Sequence, residues 1–216
     1  MKINEDLILN KYDQMIKDNK NETLANETLY GMCKKAPLHI NDNDIADKAM
    51  VIGRTYAAAP ERRKNKTETE TKNSEDFYLE YIAPKIKELK DLDKRIKKIN
   101  NTKDWDKRQL MIIKLHKELV DNLYKSVGDN KRSFASKYLH FHCRNAVYIY
   151  DSRAEEKAKC LVKYPDSKWR KSLKNNEYDE VYAKYIDRAR EIYRVINKKR
   201  NEKPTPRQRD NILLYY

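Results

Sequence analysis

Apolar residues recur at intervals of three and four along most of the chain, and only three glycines, Gly31, Gly53 and Gly128, interrupt its 216 residues. Such spacing sets an apolar stripe on one side of a helix, whereas a half-buried strand needs strict alternation. The expected fold is therefore all-α, a multi-helix globular domain of about eight helices. A chain of this length can bury a core of its own, so residues 1–216 read as a single helical domain. The polar, repetitive stretch 64–74 (KNKTETETKNS) reads as a surface loop, and any division into two helical lobes is expected there.

The scarcity of glycine also narrows the chemistry. Phosphate loops, dinucleotide fingerprints and the serine-hydrolase elbow all need closely spaced glycines, and here the three lie far apart. Cys33, Cys143 and Cys160 are too few and too scattered for a disulfide framework, which predicts reduced thiols. The first ten residues lack a signal-peptide pattern, and no apolar run reaches bilayer length. A soluble, cytoplasmic chain without a membrane partner is the expectation. Lys and Arg number 48 against 34 Asp and Glu, a net charge of +14. That excess favours a polyanionic partner, double-stranded DNA foremost, although a solvated lysine-rich surface would show the same balance.

Several helices can be placed by stripe and cap. Asn4 caps a first helix carrying Ile8, Leu9, Tyr12, Met15 and Ile16, and a second turns Leu24, Thr28, Leu29 and Met32 inward. A third, capped by Asp42 or Asn43, carries Ile45, Ala49, Ile52 and Tyr56, and its far end is small at Gly53 and residues 57–59. Arg54, Arg62, Arg63 and Lys64 crowd that end, so either a phosphate or a tightly packed element could approach it. Pro84 opens a helix with the stripe Ile86, Leu89, Leu92, Ile96 and Ile99. The regular tyrosines of the helix over 177–199 read as core, and Thr205, Pro206 and Gln208 form a capping box for a last short helix.

Residues 132–154 (RSFASKYLHFHCRNAVYIYDSRA) form the most informative stretch. Phe134, Ala135, Tyr138, Leu139 and His142 recur at helical spacing, so a helix with one buried face is expected. His140 falls on the other side and could face a ligand. Because His140 and His142 point apart on a helix, they make no zinc set with Cys143, and neither a metal nor a cofactor is expected. An extended apolar run, 146–150, then delivers Asp151 in front of Ser152, Arg153, Ala154 and Glu155, which read as the opening of another helix. Asp151 is either a catalytic acid or only that helix's cap.

This segment resembles the catalytic segment of the helix-hairpin-helix DNA glycosylases, particularly the adenine-mismatch branch. Ser133, Phe134 and Ala135 match the opening of the family's helix, Leu139 its continuation, and Val147 and Ile149 the connector before its essential Asp, here Asp151. The resemblance covers about a tenth of the chain. It implies that Asp151 supports the positive charge that grows on deoxyribose as a base departs, or prepares the attacking water. The family's Schiff-base lysine would fall at Ser133, which implies a monofunctional hydrolase, while Lys131 and Lys137 are near enough to keep lyase chemistry open. His140 joins the candidate catalytic group, and Lys131, Arg132, Arg144 and Arg153 join the candidate nucleic-acid contacts. The family's tight Gly-x-Gly hairpin is replaced by Val127, Gly128, Asp129, Asn130 and Lys131, its iron-sulfur cysteines have no counterpart, and no second general acid can be placed. The alternatives are a non-catalytic helical nucleic-acid-binding protein, as in phage or mobile-element defence, and a helical protein-interaction module.

Overall fold

The computed structural model describes residues 3–18, 23–62 and 74–215. Among these described residues eleven α-helices follow one another: α1 (Glu5–Lys17), α2 (Leu24–Lys35), α3 (Asp42–Thr55), α4 (Ser74–Phe77), α5 (Ala83–Lys87), α6 (Leu92–Asn101), α7 (Trp105–Val127), α8 (Arg132–His142), α9 (Ser152–Leu161), α10 (Glu180–Arg200) and α11 (Pro206–Tyr215). Among the described residues the only β pairing is a single antiparallel bridge, Ile3 to Val162. The all-α architecture expected from the apolar period is the one observed. No described helix is long and apolar enough to cross a membrane. The expected loop and lobe boundary at 64–74 falls almost entirely outside the described residues, as do Arg63 and Lys64.

The helix count exceeds eight, and one stretch breaks where a periodic stripe gives no warning. A π-helical turn, Tyr78–Ile82, separates α4 from α5. The expected continuous helix from Pro84 to Ile99 is interrupted after Lys87, where Asp91 takes a left-handed conformation (φ 53°) before α6 starts. An apolar stripe records which residues face inward, and Ile86, Leu89, Leu92, Ile96 and Ile99 are buried on both sides of the break. The stripe is silent about the backbone between them.

Polar side chains close the helix ends. Asn4, Thr23, Asn41, Asp104, Asp151 and Asp179 each accept a backbone N–H of the first turn they precede. Asn41, one residue earlier than expected, caps α3. Gly128 ends α7 in the left-handed region (φ 65°), its N–H donating to the Tyr124 carbonyl, so the chain can turn back into α8. Thr205 and Gln208 form the expected reciprocal box at α11.

One contiguous apolar cluster runs from α1 to α11. Within it α8 packs against α2, α3 and α7, while α9 packs against α1, α10 and α11. The single buried face expected of α8 is corrected, since every residue from Phe134 to Phe141 is buried. The face of α2 is corrected too: Leu24 is 85% exposed and Thr28 faces solvent, whereas Asn26, Leu29, Tyr30 and Cys33 are buried. Polar atoms account for that rotation. The Thr28 hydroxyl returns to the Leu24 carbonyl (2.9 Å), while Asn26 and Tyr30 find partners in the half-buried Tyr56 and the buried His140.

Gly53 shows what its small size serves. A Cβ there would lie 3.0 Å from the Tyr78 hydroxyl and 3.1 Å from Ala59 Cα, so the close approach is made by the protein's own backbone. Gly53→Val should therefore destabilise the fold by about 1–3 kcal/mol through overpacking. Urea unfolding measures this, and an unchanged midpoint would contradict the packing.

Candidate active site

Three elements bring the charged groups together. The first turns of α8 carry Ser133 and Lys137 one turn apart, so both side chains leave the same side of the helix. The extended run after α8 ends at Asp151, the N-cap of α9, and α11 supplies Arg207 and Asp210 from the far end of the chain. Lys137, Asp151, Arg153, Arg207 and Asp210 line one cavity of about 290 Å³, with Asn26 and Tyr56 from the α2 and α3 side.

Lys137 is the hub. It is 2% exposed, and its Nζ donates to Ser133 Oγ (2.8 Å) and to the Tyr56 carbonyl (3.2 Å) and lies 3.7 Å from Asp151 Oδ2. Burial lowers its pKa, against the pull of the Asp151 and Asp210 carboxylates. Ser133 is held in turn, its hydroxyl donating to the Tyr150 carbonyl (3.1 Å), so it positions Lys137 rather than offering a free nucleophile.

The two carboxyls are driven in opposite directions. Burial works to raise the Asp151 pKa, but the Lys137 ammonium and the Arg153 N–H and guanidinium outweigh it and hold the group below its ordinary value. Asp210 is 1% exposed, and burial pushes its pKa up to about 6 despite Arg207 and Lys137, with the charge on Asp151 adding to the rise. Arg207 donates to Asp210 Oδ2, while Asp210 Oδ1 has no hydrogen-bond partner among the described residues. Oppositely displaced pKa values in one cavity suit an acid and a base near neutral pH. Asp151 is thus both a cap, accepting the Arg153 N–H (3.0 Å), and a cavity carboxylate. The two sequence readings of it are compatible.

Asp210 is the site residue that sequence reasoning missed. The available signal was the polar run Arg207, Arg209, Asp210 and Asn211 on a helix with little apolar stripe, all four of which are buried. The opposite error concerns His140. Expected on a ligand-facing side, it is fully buried, with Nδ1 2.8 Å from the Val147 carbonyl and Nε2 2.7 Å from the Tyr30 hydroxyl. Burial takes its pKa down to about 4. Both ring nitrogens are committed to structure because α8 is enclosed on all sides.

The basic candidates divide by position. Arg153 is at the cavity, its side chain 78% exposed. Arg54 and Arg62 are exposed at the end of α3, Arg54 beside Glu61 (3.4 Å). Arg144 is exposed and lies over the Tyr30 ring (4.3 Å). Lys131 and Arg132 serve the fold instead: Lys131 is buried on the Arg62 carbonyl (2.7 Å) and Asp129 (3.0 Å), and Arg132 binds Asp179 (2.7 Å). Comparison with protein-family models, with curated proteins and with solved structures finds no match to this chain.

Proposed function

We propose that the chain is a DNA-binding hydrolase of the base-excision type, cleaving the N-glycosidic bond of a damaged, mismatched or modified base. The observation that carries this reading is the convergence of Lys137, Asp151 and Asp210 on one cavity, with the two carboxyl pKa values moved apart. A cavity of about 290 Å³ sits at the lower end of ligand pockets, about 300 Å³, which suits one extruded base better than a larger ligand. Protonated Asp210 would donate its proton to the departing base as the C1′–N bond breaks and its electron pair leaves with the base. Ionised Asp151, held by Lys137, would face the oxocarbenium-like sugar and take the proton of the water that adds to C1′. Arg153, with Arg54, Arg62 and Arg144, would meet the DNA backbone.

The test incubates the protein with duplexes carrying a panel of altered bases and reads abasic product, comparing wild type with Asp151→Asn. Asparagine caps a helix as well as aspartate does, so this change removes charge and spares the α9 cap. Product from at least one duplex and its loss in the variant are expected. No abasic product from any substrate, or equal product from the variant, would sink the proposal. Duplex binding without base release would instead assign the charge to a non-catalytic nucleic-acid-binding protein.

A further inference from the structure

A second cavity, of about 460 Å³, opens beside the start of α11 and shares no lining residue with the Asp151 site. Arg108, Arg190, Arg194 and Arg209 line it together with the exposed Lys103 and Lys203, and no carboxylate is among its lining residues. Two of the arginines are neutralised from outside the cavity, Arg190 by Asp106 (2.6 Å) and Arg194 by Glu191 (2.7 Å). The other two are not. Among the described residues Arg209, 5% exposed, donates only to the Tyr148 hydroxyl and the Thr205 carbonyl, and Arg108 Nε is buried without a partner. A guanidinium withdrawn from water without a counter-charge is costly, and an anion in the cavity would relieve it. The N-terminus of α11, at Thr205 and Pro206, adds positive potential at the same wall.

The remaining walls are aromatic. Trp105, Tyr148 and Tyr193 line the cavity, and arginines already stack on them: Arg190 over Trp105 (4.1 Å) and Arg209 over Tyr148 (4.3 Å) and Tyr193 (5.2 Å). Layered guanidinium and aromatic planes are what a nucleobase stacks on, and the volume exceeds what a lone phosphate needs. We infer that this cavity is a second binding site, for a nucleoside phosphate, in which the arginines take the phosphate and the aromatic walls take the base. The nucleotide can be free or can be the 5′-phosphorylated end of a strand.

The two tryptophans of the chain report on the site directly, because Trp105 lines it and Trp169 meets Trp105 edge-on at 5.2 Å. Tryptophan emission of the full chain would be titrated with adenosine monophosphate, inorganic phosphate, and a short single strand bearing either a 5′-phosphate or a 5′-hydroxyl. A saturable change with the nucleotide or the 5′-phosphorylated strand is expected, at least tenfold weaker in Arg108→Gln and in Arg194→Gln and unchanged in Asp151→Asn. Thermal melts of both arginine variants separate lost binding from lost folding, and Arg194→Gln, which takes the Arg194 partner from the buried Glu191, should lower the melt. A response to the mononucleotide alone assigns a free ligand, and a response to the phosphorylated strand alone assigns a strand end. The inference is overturned by no saturable change with either, by undiminished binding in both folded arginine variants, by inorganic phosphate binding as tightly as the nucleotide, or by an equal response to the 5′-hydroxyl strand. Because Asp151→Asn is silent here, failure of the base-excision reading and failure of this one are distinguishable.

Discussion

Acidification from pH 6.5 to 4 should draw several kcal/mol of folding stability out of two histidines at the centre of the protein, against a smaller opposing gain from Asp210, whose raised pKa favours the folded state as it protonates. His116 and His140 are fully buried, and burial takes the pKa of each from the ordinary 6.5 to about 4. Below pH 6.5 the unfolded chain binds protons at these positions and the folded chain does not, so stability falls as pH falls and levels off below about 4. A shift of this size corresponds to roughly 3 kcal/mol for each histidine, a large part of the about 5–15 kcal/mol that holds an ordinary domain together. Structure explains the reluctance to protonate. His140 donates from Nδ1 to Val147 and receives the Tyr30 hydroxyl at Nε2, so its cation would face that hydroxyl with a second donor. His116 stacks on Tyr182 with ring centroids 3.9 Å apart, and its attraction to Asp179 does not offset the loss of water. Urea unfolding across this pH range tests the point. His116→Phe keeps a ring on Tyr182 and should flatten the acid dependence by the roughly 3 kcal/mol assigned to one histidine. His140, together with His142 and His39, also lowered by burial, and Asp210 set the remainder. An acid dependence untouched in the variant would contradict the assignment.

The second large effect belongs to Asp210. Asp210→Asn removes the cavity carboxyl whose pKa burial raises to about 6 and leaves a side chain of the same shape beside Arg207. General acid catalysis of this kind contributes about 10²–10⁴-fold, so base release should fall by that order while duplex binding is retained. Asp210→Asn takes a charge partner from the buried Arg207, so a thermal melt must accompany the assay. A variant that folds and binds but releases base at the wild-type rate would make Asp210 structural.

How much of this was legible in the sequence depended on whether a property was local. The cap at Asp151, the box at Thr205 and Gln208, and the inward Tyr182 and Tyr185 of α10 follow from neighbours within a turn or two and are in place, whereas Tyr193, expected in the core, is half-buried at a cavity wall. Lys137 could be suspected because it lies one turn beyond Ser133 on α8, and the structure joins the two at 2.8 Å. Asp210 stood out only as part of a polar run, because no spacing rule connects α11 to the end of the 146–150 run; packing of α9 on α11 brings them to one cavity. The same holds for Arg108 and Arg209, which sit on separate helices and meet only in the folded chain. His140 was misplaced for a related reason. A helical stripe predicts one buried side, and α8 is enclosed on every side.

The most direct test of the two-carboxylate site is the pH profile of single-turnover base release on whichever duplex is cleaved. With Asp210 acting as the acid, the rate should fall as pH rises through about 6, and Asp210→Asn should abolish that fall along with most of the rate. Asp151→Asn should leave no measurable release at any pH. A profile whose basic limb survives in Asp210→Asn, or release that persists in Asp151→Asn, would contradict the account.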